Sequence, residues 1–141
     1  MSIPSILLPL FVEVALTFGL LLWLGVRRRD DLLNGTTRVS QIALREPNWS
    51  PRTLQAAYSF SNQFELPVLF YVLTVLEIIT RHADFIFIVL AWIFVLSRLG
   101  QAFVHVTSNR VRLRGMVYGI GALALIVAWI IFAVRILLGL P

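Results

Sequence analysis

Cysteine and lysine are both missing from the 141 residues of this chain, and histidine occurs only twice. Without cysteine the chain can form no disulfide bond, no thiolate nucleophile and no cysteine-ligated metal site. Two histidines, His82 and His105, are too few for a metal site built from protein ligands, so we predict that the chain holds no metal. The twelve basic residues are all arginines.

Charged residues are also scarce, at 13% of the chain, whereas 59% of the residues are hydrophobic. This composition is typical of an integral membrane protein. A helix needs about 20 apolar residues to cross the hydrocarbon of a bilayer. Four windows meet that length, at about 6–26, 57–79, 85–106 and 115–138. We therefore predict an all-α membrane protein, a single four-helix transmembrane domain over residues 1–141, with one sizeable polar loop at 27–56.

The arginines lie mainly beside these apolar windows, which favours a topology signal over a nucleic-acid-binding domain. Three of them follow the third window, at Arg110, Arg112 and Arg114, and the loop after the first window carries six more: Arg27, Arg28, Arg29, Arg38, Arg45 and Arg52. Cytoplasmic loops are the ones enriched in arginine. The sequence thus predicts that both loops are cytoplasmic and that both termini lie on the non-cytoplasmic side.

Polar side chains recur at helical spacing inside the second and third windows. Glu65 and Arg98 both lie roughly 12 to 13.5 Å from the cytoplasmic end of their windows, at the rise of an α-helix. Tyr58 and Asn62 share the face of Glu65, and Gln101 and His105 share the face of Arg98. Ionisable groups at such depth cost several kcal/mol unless they are paired or hydrated. We therefore expect the two polar faces to meet, with Glu65 and Arg98 paired.

One interpretation is that Asn62, Glu65 and Arg98 form a structural network that holds helices together. A simple ion pair would not need Gln101, His105 or an arginine-rich rim, however, and the surplus cations favour an anionic ligand. Several arginines and one glutamate suit a small molecule with two carboxylates and one ammonium group. The apolar surroundings favour a second, lipophilic partner from the bilayer. Glutathione together with a lipid electrophile fits both requirements.

The order of these residues resembles the family of membrane-associated proteins in eicosanoid and glutathione metabolism (MAPEG) over all four spans. The resemblance rests on Asn62-x-x-Glu65 followed by Pro67, and then on Arg98, Gln101, His105, Arg110, Arg114 and Tyr118. It implies a homotrimer in the lipid bilayer, with glutathione as cosubstrate bound between subunits on the cytoplasmic side. A bacterial-type member in the inner membrane is the expectation.

The resemblance also implies roles for individual residues. Glu65 and Asn62 would hold the amino end of glutathione, and Arg98, Arg110 and the Arg27–Arg29 cluster, with Arg28 at its centre, would hold the carboxylates. Tyr118 would lie beside the cysteinyl part, and Gln101 and His105 complete the expected binding face. Arg114 matches the arginine thought to stabilise the thiolate, which would then attack a lipophilic electrophile in a transferase or peroxidase reaction.

The chain departs from the family pattern at a few positions, and other functions stay open. Tyr58 and Ser61 occupy the region where an arginine is usual, and Gly115 follows Arg114 where the prostaglandin synthase branch has serine. Glu13, midway along the first span, is instead typical of small proton-coupled multidrug transporters. Such carriers do not need Arg98 in the membrane. A catalytically silent lipid-binding or assembly protein is the third alternative.

Overall fold

The computed structural model describes all 141 residues and is entirely helical. Its five α-helices are α1 (Ile3–Leu33), α2 (Pro51–Ser61), α3 (Leu66–Ile79), α4 (Phe85–Val106) and α5 (Val111–Leu137). Helices α2 and α3 follow one another as a single apolar segment, so four segments are long and apolar enough to cross a membrane. The predicted all-α membrane fold is confirmed.

Helix α1 continues beyond the apolar window that predicts it. Ser2 caps its first turn by accepting a hydrogen bond from the N–H of Ser5, and the helix runs for 31 residues to Leu33. At a rise of 1.5 Å per residue its length is about 46 Å, whereas the hydrocarbon of a bilayer is about 30 Å thick. The last turns of α1, which carry Arg27–Arg29, therefore extend past the apolar window as helix rather than loop.

The remaining connection between α1 and α2 is folded against the end of α1. The buried carboxylate of Asp31 accepts a hydrogen bond from the N–H of Ser50 at 2.9 Å, and Thr37 donates to the carbonyl of Asn48 at 2.7 Å. Ser50 in turn caps α2, whose first residue is Pro51. The polar connection therefore contacts α1 at both of its ends: it follows α1 directly at Asn34, and Ser50 at its other end bonds Asp31.

A break divides the second membrane-crossing segment. Helix α2 ends at Ser61, a short 3-10 turn covers Asn62–Phe64, and Glu65 precedes α3 with φ −100° and ψ −106°. Pro67 in the first turn of α3 has no N–H to bond the carbonyl four residues earlier, which explains why the helix cannot run through. Asn62 and Glu65 belong to this break, so their backbone is not continuous helix.

The core lies between α1, α3, α4 and α5 in the half of the bundle away from the break. Phe70 and Phe94 are buried there with ring centroids 5.0 Å apart. Helix α5 approaches α4 closely at Gly121, where an added Cβ would lie 2.0 Å from the hydroxyl oxygen of Ser97. Glycine at this position is therefore required for the packing of α4 on α5, as small residues commonly are in membrane helices.

Candidate functional site

A polar cavity of about 450 Å³ opens where the helix break meets the facing ends of α4 and α5. The break and the end of α2 contribute one wall and α4 and α5 the other. Its lining consists of Tyr58, Ser61, Asn62, Glu65, Gln101, His105, Arg114, Gly115 and Tyr118. Hereafter this is the first cavity. It brings together six of the nine predicted site residues: Asn62, Glu65, Gln101, His105, Arg114 and Tyr118.

Arg98 lies behind the first cavity and connects its walls. Only 2% of this residue is exposed. Its guanidinium donates one hydrogen bond to the side-chain carbonyl of Gln101 and another, of 3.0 Å, to the backbone carbonyl of Asn62. The guanidinium carbon also lies 6.0 Å from the ring centroid of Tyr118. Arg98 therefore satisfies a carbonyl of the helix break, which would otherwise be costly at membrane depth.

The expected ion pair between Glu65 and Arg98 does not form. Glu65 is exposed at the break and Arg98 is buried, and the hydrogen bonds of Arg98 go to Gln101 and to the backbone of Asn62. Because Glu65 has no arginine partner within the chain, its carboxylate remains available to a cationic group in the first cavity.

Arg114 is oriented by a residue that the sequence analysis did not consider. Its guanidinium donates a hydrogen bond of 2.7 Å to the side-chain oxygen of Asn109, in the turn between α4 and α5. Asn109 has φ 50°, a left-handed conformation that asparagine tolerates better than most residues, and its N–H bonds the carbonyl of Val104 at 2.6 Å. The sequence signal that could have identified this residue is an asparagine within the four-residue turn between α4 and α5.

Two predicted site residues lie away from the first cavity within this chain. Arg28 lines a second cavity of about 570 Å³ between α1, α2 and their connection, where its guanidinium carbon lies 5.2 Å from the ring centroid of Trp49. Tyr58 and Ser61 line both cavities. Arg110 is exposed immediately before α5 and lines neither of them.

Glu13 is fully buried in the interior of the chain, and neither carboxylate oxygen accepts a hydrogen bond. It lines neither the first nor the second cavity. No three histidine, aspartate or glutamate side chains converge in a way that could hold a metal ion. The chemistry available in the first cavity is therefore that of hydrogen bonding and fixed charge, from Glu65, Arg114 and the amides and rings around them.

Comparison with known proteins gives a match to the model of the MAPEG family over residues 6–134. The matched region contains α2, α3 and α4 entirely, nearly all of α1 and α5, and every residue that lines the first cavity. No curated protein and no solved structure gives a significant match.

Proposed function

The chain belongs to the MAPEG family, and from this we propose that it is a glutathione-dependent membrane enzyme of the transferase or peroxidase type. Its substrates would be glutathione and a lipophilic electrophile. The observation that carries the proposal is the first cavity, in which one carboxylate and one arginine converge with amide and aromatic side chains inside an otherwise apolar bundle. Its volume falls within the usual range for small-molecule sites, about 300–1,000 Å³.

The lining of the first cavity suits the two ends of glutathione. Glu65 is its only carboxylate and lacks an arginine partner, so it can accept the ammonium group, with the amide of Asn62 beside it. Arg110 and Arg28 are the arginines that we assign to the carboxylates. Arg98, which the sequence analysis also assigned to them, is buried behind the first cavity, so we assign it instead to holding Asn62 and Gln101. Gln101 and His105 contribute further hydrogen-bonding groups, since the Nδ1 atom of His105 has no partner in the chain. Charge-assisted bonds of this kind are the strong ones.

Arg114 is the residue that we assign to catalysis. A thiol is mostly protonated near neutral pH, and a guanidinium close to the sulfur favours the thiolate. Arginine cannot accept the proton, which therefore leaves to water at the cavity mouth, while the guanidinium stabilises the sulfur anion. With an electrophilic carbon, the thiolate forms a C–S bond while the substrate loses its leaving group or takes up a proton from water, with Tyr118 beside the cysteinyl part. With a hydroperoxide, the thiolate attacks the outer oxygen, the O–O bond breaks and the alkoxide takes a proton from water. A second glutathione then converts the resulting sulfenic acid to the disulfide and water.

Assembly and orientation are further parts of the proposal. Arg28 and Arg110 lie away from the first cavity of their own chain, so a homotrimer with glutathione bound between subunits would give them a role at a neighbour's cavity. We assign the first cavity to the cytoplasmic side of a bacterial inner membrane and both termini to the opposite side, because nine of the twelve arginines lie in the first and third connections or in the helix turns beside them. Residues 1–141 then form one four-helix domain.

No specific observation favours either alternative, the proton-coupled transporter or the catalytically silent lipid-binding or assembly protein. Glu13 lines neither the first nor the second cavity, so neither of them gives a proton-coupled transporter access to its carboxylate. A catalytically silent lipid-binding protein would leave the converging polar side chains of the first cavity without a use.

The test is calorimetric titration of the detergent-purified protein with glutathione and with an analogue that lacks the thiol. Both should bind saturably. Glu65→Gln should weaken the two ligands alike, by about tenfold, because each loses the same charge-assisted contact at its amino end. Asp84→Asn, at the opposite end of α4 from the first cavity, is the control and should leave both affinities unchanged. Absence of saturable binding to the wild-type protein would refute the proposal.

A further inference from the structure

Glu13 is the most completely enclosed charged group in the chain. None of its surface is exposed, and both carboxylate oxygens lack a hydrogen-bond donor. Thr17, one turn further along α1, donates its hydroxyl to the backbone carbonyl of Glu13 at 3.1 Å and not to the carboxylate. A carboxylate enclosed in this way costs several kcal/mol unless a positive charge compensates it.

The compensating charge is Arg98 of α4. Helix α1 packs on α4, and both residues are enclosed. They lie at similar depth, since Glu13 is ten residues from the start of α1 and Arg98 is thirteen residues from the start of α4. The two do not form a direct ion pair. The Nε atom of Arg98 is buried without an acceptor, so one donor of this guanidinium is left over after its bonds to Gln101 and Asn62.

Arg98 therefore connects the helix that packs on α1 with the first cavity. Its two hydrogen bonds go to the carbonyl of Asn62 at the helix break and to the side chain of Gln101, and its remaining buried donor has no acceptor. A guanidinium has a rigid planar fork, so a shift of Arg98 moves both of its acceptors. These acceptors belong to residues that line the first cavity.

We propose that Glu13 is a positioning residue for the glutathione site. Its negative charge retains the Arg98 guanidinium at the helix break, and Arg98 in turn holds Asn62 and Gln101 where they meet the ligand. Glu13 itself touches no ligand, because it lines neither cavity. This inference rests on the proposed binding of glutathione in the first cavity, and it assigns to α1 a role in that site.

If Glu13 had only a structural role, its replacement would lower the stability of the protein without a specific loss of glutathione affinity. Glu77 provides the matched comparison, because it is a second glutamate in a membrane-crossing helix and only 2% of it is exposed. It lies near the end of α3 away from the helix break, where it lines one small recess with Asp84 and Arg135. Replacement of either glutamate by glutamine preserves volume and removes one enclosed charge.

The first measurement compares glutathione affinity and thermal stability of Glu13→Gln, Glu13→Asp and Glu77→Gln in detergent. Glu13→Gln should weaken glutathione by about tenfold, the loss expected when a charge-assisted contact in the site is displaced. Glu13→Asp should recover part of the affinity, and Glu77→Gln should change it less than about twofold whatever its effect on stability. Wild-type affinity in Glu13→Gln, or equal losses in the two glutamine variants, would overturn the inference.

The second measurement needs no glutathione. A double-mutant cycle of Glu13→Gln and Arg98→Gln, followed by unfolding in detergent, should give a double variant less destabilised than the sum of the singles. The reason is that each single variant leaves one enclosed charge uncompensated. Additive losses would overturn the inference. If wild-type protein binds no glutathione while the cycle is non-additive, the proposed function fails and the pairing of Glu13 with Arg98 stands.

Discussion

Arg114 and Asn109 are joined across the turn between α4 and α5 by a hydrogen bond of 2.7 Å, from the guanidinium to the side-chain oxygen of asparagine. Arg114 is the first cavity's only lining arginine, and this bond uses just one of its five donors. The others remain free for an anion. The relationship means that the orientation of the proposed catalytic arginine is set by a residue outside the cavity lining.

Replacement of Arg114 by alanine should separate activation of the thiol from binding of the tripeptide. The ultraviolet absorbance of the glutathione thiolate in the complex should disappear, because the cation beside the sulfur is gone. Much of the affinity should remain, since Glu65, Asn62 and the other arginines still hold the ends of the ligand. Lysine at position 114 should restore only part of the signal, because an ammonium lacks the fixed donor geometry of guanidinium.

The control for this experiment is Arg112→Ala, which removes an exposed arginine two residues earlier in α5. It should preserve the thiolate signal. An Arg114→Ala protein that still displays thiolate absorbance would contradict the catalytic assignment and leave Arg114 as a topology or carboxylate-binding arginine.

Asn109→Gly should weaken the thiolate signal without removing Arg114. Glycine accepts φ 50° freely, so this variant deletes the side-chain hydrogen bond while it preserves the backbone of the turn. Arg114 then loses its orienting partner, and we expect the thiolate absorbance per bound glutathione to fall. Asn109→Ala adds backbone strain and should also lower thermal stability. Full thiolate absorbance in the glycine variant would mean that the bond to Asn109 does not orient Arg114 for catalysis.

Acid should weaken the ion pair between Asp84 and Arg135, which lies at the end of the bundle away from the first cavity. Partial burial alone would raise the pKa of Asp84, but the hydrogen bond from Arg135, the bond from the N–H of Phe87 and the charge of Arg135 together hold this pKa below its ordinary value of 3.8. A carboxyl with a lowered pKa contributes stability above that ordinary value and loses it as pH falls through the lowered one.

The free energy of unfolding in detergent, measured between pH 6 and pH 3, should therefore fall less steeply in Asp84→Asn than in the wild-type protein. The side chain of Asp84 is 39% exposed and its ion pair to Arg135 spans 2.7 Å, so after solvent screening we expect an effect of at most about 1 kcal/mol. Arg135→Gln should flatten the pH dependence in the same window. Identical pH profiles for all three proteins would exclude the ion pair as a source of stability.

The proposed orientation can be tested directly because the chain has no native cysteine. A cysteine introduced at Asn34 should resist a membrane-impermeant thiol reagent added from outside, while one at His82, in the turn before α4, should react. Both should react once the membrane is permeabilised. The reverse labelling would move the first cavity to the non-cytoplasmic side.

Hydropathy was sufficient to predict the four membrane-crossing segments, since their length and apolar content are set by the bilayer. Helical spacing also predicted that Asn62 lies on the polar face of the second window and that Gln101 and His105 lie on the polar face of the third. All three residues line the first cavity. The predicted pairing of Glu65 with Arg98 assumed one continuous helix through Pro67. The break at Glu65 interrupts that helix, so the prediction was wrong, and Arg98 bonds the carbonyl of Asn62 instead.

The sequence could not predict the proposed interaction of Glu13 with Arg98, for a different reason. The two residues lie 85 positions apart, and the rotation of α1 about its own axis against α4 depends on side-chain packing that a single sequence does not display. Asn109 was missed because a short polar turn gives no periodic pattern, although its left-handed backbone is a conformation for which asparagine is enriched.

The short turn between α4 and α5, together with their close approach at Gly121, has a consequence for biosynthesis. These helices are made last, and they supply Gln101, His105, Arg114 and Tyr118. At a synthesis rate of about 5–20 residues per second, Arg114 follows Asn62 by roughly 3 to 10 seconds. During synthesis, the wall of the first cavity that contains Asn62 and Glu65 is therefore made before the wall from α4 and α5. The cavity is complete only when the hairpin of α4 and α5 has entered the membrane.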